Sequence, residues 1–276
     1  MSSAPPSGLK AFDLTGQTAI ITGGAGLLGP EHAAALAELG ARVVLTDLDA
    51  PRLEAAAETL KASFGPLILT RPLDVTSEAS IQALQTEFEG IDVLINNAAV
   101  DPKLTRSGGP ELSRLEHFPL EDWNRQINIG LTGAFLCARA FGSDMARRGQ
   151  GVILNIASDL SLIAPDQRLY RKEGLEPDQQ PVKPVTYSVV KSGLVGLTRY
   201  LAGYWAEDGV RVNAISPGGV FNDHPEDFTR KLSALIPMGR MARRDEYRSA
   251  VQFLCSQASS YMTGQNIVID GGRTVL

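Results

Sequence analysis

The feature that most limits the folds open to this chain is a repeated alternation. Seven short runs rich in β-branched residues are spaced along it: "TAIIT" (18–22), "RVVLT" (42–46), "LILTR" (67–71), "DVLIN" (92–96), "GVILNI" (151–156), "VRVNAI" (210–215) and "NIVID" (266–270). Between them lie Ala/Leu/Glu-rich stretches such as "EHAAALAELG" and "PRLEAAAETLKASF", whose apolar residues recur at helical spacing. Several runs are continuously apolar, as in strands covered on both faces. Strands joined through helices of this length require right-handed crossovers, and therefore a parallel sheet with helices on both sides. The expectation is an α/β fold, a doubly wound parallel sheet of about seven strands. No break in composition divides the chain, so 17–276 reads as a single domain behind a short flexible arm at 1–16.

Composition removes several function classes. The chain of 276 residues is 43% hydrophobic and 21% charged, with a net charge of −5 and no basic stripe, which argues against nucleic acid as a partner. Cys137 and Cys255 sit in apolar surroundings without ligand spacing and read as buried free thiols. His32, His117 and His224 are scattered, so no metal site is expected. The N-terminus lacks the basic and apolar regions of a secretory signal, and no run of about 18 apolar residues exists. A cytoplasmic protein without membrane attachment is expected.

In a doubly wound sheet, ligands bind beyond the carboxyl ends of the strands. The first such exit is "TGGAGLLG" (22–29), in which Gly24, Gly26 and Gly29 satisfy G-x-G-x-x-G. Glycines there permit a tight turn and bring a pyrophosphate close to backbone N–H groups at a helix N-terminus. Gly23, Gly26, Leu28 and Gly29 are the candidate contacts. Asp47 ends the second run, 24 residues beyond Gly23, where a carboxylate can accept from the adenosine ribose hydroxyls. It also repels a 2′-phosphate, and its neighbours Leu48 and Asp49 supply no arginine, so NAD is favoured over NADP. Asp74 and Val75 in "LDV", and Asn97, Ala98 and Ala99 in "NNAA", are the corresponding candidates at the adenine and ribose.

A further candidate group is catalytic. "VTYSVVKSG" (185–193) opens a proline-free helical stretch in which Tyr187, Val190, Lys191, Leu194, Leu197 and Leu201 share one face. A lone tyrosine on such a stripe is normally core. Lys191 opposes that reading, because an ammonium on an apolar face costs several kcal/mol, roughly, unless it is paired or solvated. At i,i+4 the ammonium lies beside the phenol and stabilises its ionised form. Lowering a tyrosine from about 10 to about 7–8 takes roughly 3–4 kcal/mol, within reach of a lysine plus an oxidised nicotinamide. Tyr187 could then exchange a proton with a substrate oxygen that Ser158, at the end of the fifth run, also holds.

These motifs together resemble the short-chain dehydrogenase/reductase family of single-domain type, from about Thr18 to Gly272. The likeness rests on the glycine loop, Asp47, Asp74-Val75, "NNAA", Ser158, Tyr187-x-x-x-Lys191, "SPGGV" (216–220) and "GQNIVIDGG" (264–272). It implies a Rossmann-type sheet and a nicotinamide-dependent oxidoreductase interconverting a secondary alcohol and a ketone. It further implies that Pro217, Gly218 and Val220 meet the nicotinamide end, and that Tyr187 and Lys191 also contact the cofactor. Homodimers or homotetramers built through the Tyr187 helix are implied too, and Ser192, Gly196 and Gly203 give that helix a small-residue face.

Three departures from the family pattern bear on function. The glycine loop follows T-G-x-x-G-x-x-G, like that of extended relatives acting on nucleotide sugars, which keeps an epimerase or dehydratase with transient hydride transfer open. The relay asparagine seven residues after the tryptophan is replaced: counting from Trp123 gives Gly130. Asn128 lies two positions away, about 200° round a helix. The relay would then run through water and backbone carbonyls, or turnover would be slow, which leaves a weakly catalytic NAD-binding regulatory protein as a further alternative. Finally, Ser158 and Tyr187 are 29 residues apart, where about a dozen is usual in the family. The extra segment (159–186) carries Arg168, Tyr170, Arg171, Lys172 and Lys183. It reads either as a solvated loop or as a wall over an anionic or polyhydroxylated small-molecule substrate. The combination "GGAGLLG", "NIGLTGAF", "APDQRLY" and "SPGGVFN" resembles a smaller group of flagellin-modification or surface-sugar oxidoreductases, implying a sugar-derived substrate.

Overall fold

The computed structural model describes residues 6–100 and 111–276. Seven strands form one sheet in the order β3-β2-β1-β4-β5-β6-β7, with every pairing parallel. They are β1 (Thr18–Thr22), β2 (Arg42–Asp47), β3 (Ile68–Pro72), β4 (Val93–Asn96), β5 (Gly151–Ile156), β6 (Val210–Pro217) and β7 (Asn266–Ile269). All seven predicted strands are present, with ends moved by one or two residues. Strand order reverses between β1 and β4, which opens a crevice at their carboxyl ends.

Alternation along each strand divides the core into two layers. Ala19 and Ile21 of β1, with Val43 and Leu45 of β2, pack under the helices α1 (Gly29–Ala37), α2 (Ala50–Phe64) and α9 (Arg248–Cys255). Ile20 and Val44 point the other way, towards α3 (Glu78–Glu87), a long helix and α7 (Val185–Tyr204). The long helix runs over 120–148 as α4 (Leu120–Ile127), a π-turn (Asn128–Thr132), α5 (Gly133–Cys137), a second π-turn (Ala138–Gly142) and α6 (Ser143–Arg148). One further helix, α8 (Glu226–Ser233), lies beyond β6.

The expected arm and the inserted segment are both built onto this frame. Residues 8–12 form a 3-10 turn, and Leu14 is fully buried, with its N–H donating to Leu39 O at 2.9 Å. The first five residues of the expected arm lie outside the described residues. The 159–186 segment forms three 3-10 turns rather than an open loop. Its Leu169 is buried with Leu232, Ile236 and Met241 in a small separate core, and Tyr170 packs on Phe228 of α8 with ring centroids 5.7 Å apart. Among the described residues, no helix is long and apolar enough to cross a membrane.

Candidate active site

The glycine loop between β1 and α1 is shaped by close backbone approach. Gly23 has φ +65°, and a Cβ on it would lie 2.7 Å from Ala98 Cα. A Cβ on Gly29 would strike the Gly24 backbone at 2.6 Å, so the first turn of α1 begins hard against the loop. Thr22 fixes the neighbouring exit: its hydroxyl accepts from the N–H groups of Asn97 and Ala98, each at 3.1 Å. The Asn97 side-chain amide donates to the carbonyls of Thr22 (3.1 Å) and Gly23 (2.9 Å). Asn97 therefore acts through its side chain as a brace for the glycine turn.

Asp47 sits at the end of β2, and its carboxylate accepts from Ala25 N–H at 3.0 Å and Asp49 N–H at 3.3 Å. Those bonds point the carboxylate at the loop. Asp74 is held in a turn by Thr76, whose N–H and hydroxyl donate to it at 2.8 and 2.7 Å. A cleft of about 380 Å³ gathers Gly23, Asp47, Leu48, Asp74, Val75, Ala98 and Ala99 on its walls. These predicted residues come from four strand exits and meet only in the fold. The narrow glycine turn, the start of α1 and the carboxylate facing it fit the adenosine diphosphate half of a dinucleotide. Gly26 and Leu28 are part-exposed in the loop itself.

The catalytic candidates converge at the end of β5. Lys191 is 6% exposed on α7, and its ammonium donates to Ile156 O at 2.7 Å, two residues before Ser158. That carbonyl accounts for a buried cation on an otherwise apolar face. The ammonium lies 5.8 Å from the centroid of the Tyr187 ring. Pro217 ends β6 and Gly218 follows it, and Gly218 N–H donates to Ile269 O at 2.9 Å, tying that exit to β7. Val220 makes a single bridge to Ala242 in the stretch leading to α8.

Ser158 is more constrained than its position in "NIAS" implies. Its hydroxyl donates to Asp159 Oδ1 at 2.8 Å and accepts from Leu160 N–H at 3.2 Å. The other Asp159 oxygen is bound by Arg273 Nη1 at 2.7 Å, with both side chains buried. Sequence reasoning missed Asp159 and Arg273. Adjacency to Ser158 was the only signal for the first, and nothing flagged an arginine 114 residues away.

The long helix explains the missing asparagine. A Cβ on Gly130 would lie 2.6 Å from Val190 Cγ1 on α7, so no larger residue fits. Asn128 is exposed and lines the adenosine-side cleft. One turn before Gly130, buried Gln126 accepts from the Thr186 hydroxyl, immediately ahead of Tyr187.

Of the inserted cations, Arg168 is held by Asp166, with its nearest contact at 2.6 Å. Lys183 instead lies over the Tyr187 ring, 4.0 Å from its centroid. Burial pushes the thiols of Cys137 and Cys255 up to about 12, so neither is a nucleophile at neutral pH. A larger cavity of about 560 Å³ lies at the opposite, amino end of the strands, beside Asp92 and Arg211. Arg211 there is committed to the carbonyls of Leu254, Ser256 and Met262 and to the Ser259 hydroxyl.

The chain is similar to known proteins over most of its length. The model of the family described as short chain dehydrogenase matches residues 17–169, and that described as Enoyl-(Acyl carrier protein) reductase matches 178–274. The interval between the two matches falls in the inserted segment. D-threitol dehydrogenase of Mycolicibacterium smegmatis is 36% identical over 96% of this chain and 95% of its own. The NAD-dependent glycerol dehydrogenase of Listeria innocua is 31% identical over 96% and 97%. The crystal structure of a gluconate 5-dehydrogenase from Burkholderia cenocepacia, in complex with NADP and tartrate, superposes with a TM-score of 0.79 at 28% identity, covering 96% of this chain and 98% of that one.

Proposed function

This chain belongs to the short-chain dehydrogenase/reductase family, and on that premise we propose that it is an NAD-dependent oxidoreductase interconverting a secondary alcohol and a ketone on a polyol or sugar-derived substrate. The observation that carries the reading is the buried Lys191 ammonium, anchored at Ile156 O, two residues before Ser158 in the chain, and 5.8 Å from the Tyr187 ring centroid. Such an arrangement has a plain chemical use. The cofactor, when bound, supplies the hydride acceptor or donor. Tyr187 takes the hydroxyl proton of the alcohol on its phenolate oxygen in oxidation, and returns it to the carbonyl oxygen in reduction. Lys191 stabilises the phenolate by its charge. Ser158 holds the same substrate oxygen by a hydrogen bond, for which the Asp159 carboxylate must release the serine proton.

Asp47 supports NAD as the cofactor. Its carboxylate at the end of β2 is aimed at the glycine loop, where it would accept from ribose hydroxyls and repel a 2′-phosphate. Gly23, Gly26, Leu28 and Gly29 would hold the pyrophosphate, Asp74 and Val75 the adenine, and Asn97, Ala98 and Ala99 the adjoining ribose. Pro217, Gly218 and Val220, with Tyr187 and Lys191, would hold the nicotinamide end. The names of the relatives, which are polyol and sugar-acid dehydrogenases, support a hydroxylated substrate.

The decisive experiment pairs Tyr187→Phe with a panel of polyols and aldonates. The variant should bind NADH, read by nucleotide fluorescence, and lose at least about a thousandfold in turnover. Full turnover in Tyr187→Phe would sink the acid/base role. NADH accumulating with each product formed fits the dehydrogenase, whereas product without NADH would point to an epimerase or dehydratase. For the cofactor, Asp47→Ser should weaken NAD and strengthen NADP, each by about tenfold, when binding is measured by calorimetry. Tighter binding of NADP than NAD by the unaltered protein would overturn that choice.

A further inference from the structure

Lys183 precedes Tyr187 by four residues and belongs to the inserted segment, not to α7. Its ammonium lies closer to the Tyr187 ring centroid than Lys191 does, at 4.0 Å against 5.8 Å. Two cations therefore flank one phenol. The Lys183 backbone is held in place by its neighbours. Gln167 accepts from its N–H at 2.8 Å and donates to its carbonyl at 3.5 Å. Val182, the residue before, donates its N–H to Ser113 Oγ at 2.9 Å, and Pro184, the residue after, is the N-cap of α7. The insertion is thus tied down on both sides of the lysine.

We propose that Lys183 is a positioning residue for Tyr187, a second cation that lowers the pH at which the phenol ionises, and that delivering it is a function of the 159–186 segment. This rests on the proton-transfer role proposed for Tyr187. Ionised phenol spreads negative charge into the ring, so a cation over the ring face favours phenolate over phenol. The acidic groups on the surrounding elements include Glu173, Glu176 and Asp178 of the insertion, Glu121 of α4 and Glu226 of α8, and others there are bound to neighbouring cations. On the insertion Asp166 is bound to Arg168, at the end of β5 Asp159 is bound to Arg273, on α4 Asp122 is bound to Arg125, and on α8 Asp227 is bound to Arg230 and Lys231. Among the described residues, Lys183 and Lys191 are the cations directed at the ring. Alcohol oxidation requires phenolate and reduction requires phenol, so Lys183 extends oxidation towards neutral pH.

Two readouts on Lys183→Met, Lys183→Arg and Tyr187→Phe test this. First, phenol ionisation is followed by ultraviolet absorbance in the unliganded protein, with the Tyr187→Phe titration subtracted to isolate one tyrosine of six. Lys183→Met should raise the Tyr187 midpoint by about one pH unit, equivalent to about 1.4 kcal/mol, while Lys183→Arg leaves it within about 0.3. Second, the pH limb of the oxidation kcat should move by the same amount, giving an approximately tenfold loss at pH 7 with the thermal midpoint unchanged. High salt should shrink the difference, because the lysine is only half-buried.

A Tyr187 midpoint unmoved in Lys183→Met overturns the proposal. So does a rate loss equal at every pH, which a structural role would give. A higher KM for aldonates without a midpoint shift would make Lys183 a substrate contact and also overturn it. Because the absorbance titration needs no substrate, a shifted midpoint in a protein without alcohol oxidation would instead defeat the function proposed above.

Discussion

Gly130 and Val190 lock the long helix to α7: a Cβ on the glycine would lie 2.6 Å from Val190 Cγ1. The helix bearing Tyr187 and Lys191 owes its position partly to this contact, one turn of α7 beyond the tyrosine. Restoring the family's asparagine should therefore damage the protein and not improve it. Gly130→Asn is expected to cost about 1–3 kcal/mol by overpacking, measured by urea unfolding. Val190→Ala in the same chain should recover most of that loss. An asparagine variant that is as stable as the parent would refute the packing account.

The Ser158–Asp159–Arg273 chain makes the C-terminal turn part of the site. Removing Arg273 leaves a buried carboxylate without its partner, which costs about 3–5 kcal/mol. Arg273→Met should show that loss in urea unfolding. Pairing it with Asp159→Asn should regain part of it, since no bare charge then remains. In the surviving folded protein, kcat should fall more than KM rises, because the serine hydroxyl loses its fixed orientation. Equal stability of Arg273→Met and the parent would show that the pair is worth nothing.

A pH dependence follows from His32. It is fully buried in α1, neither ring nitrogen has a hydrogen-bond partner among the described residues, and burial pulls its pKa down to about 4. The unfolded chain binds this proton at about 6.5. Between those values the unfolded state is the more protonated, so stability is complete above about pH 6.5 and is lost as pH falls towards 4. The loss attributable to this one group approaches about 3 kcal/mol at pH 4. His32→Leu should flatten the slope of unfolding free energy against pH over that window. A slope identical to the parent's would assign the acid sensitivity to carboxylates instead.

Features set by near neighbours along the chain are legible in residue order. The strand runs, the glycine turn and the tyrosine–lysine pair all depend on spacing within one turn or one strand. Asp47 is legible for a related reason: a strand end after a glycine loop has one place to go in a parallel crossover. Asn97 is legible as a candidate at the fourth strand exit, but not as a brace, since its amide holds the loop through the Thr22 and Gly23 carbonyls. Lys183 stands among five cationic or aromatic residues of the insertion, with nothing in the sequence to separate it from Arg168. Their difference is whom each meets: Asp166 for Arg168, the Tyr187 ring for Lys183.

By itself, then, the order of residues determined the doubly wound sheet, the cofactor-loop candidates and the identity of the proposed proton-transfer pair, because backbone geometry and hydrophobic period act over a few residues. Tertiary structure alone decided that Arg273 reaches Asp159, that Gly130 is filled from outside by Val190, and that a half-buried lysine of the insertion lies on the phenol. Those outcomes depend on which side chains share a desolvated volume, where an unpaired charge or a surplus methyl is costly, and residue order does not encode that sharing locally.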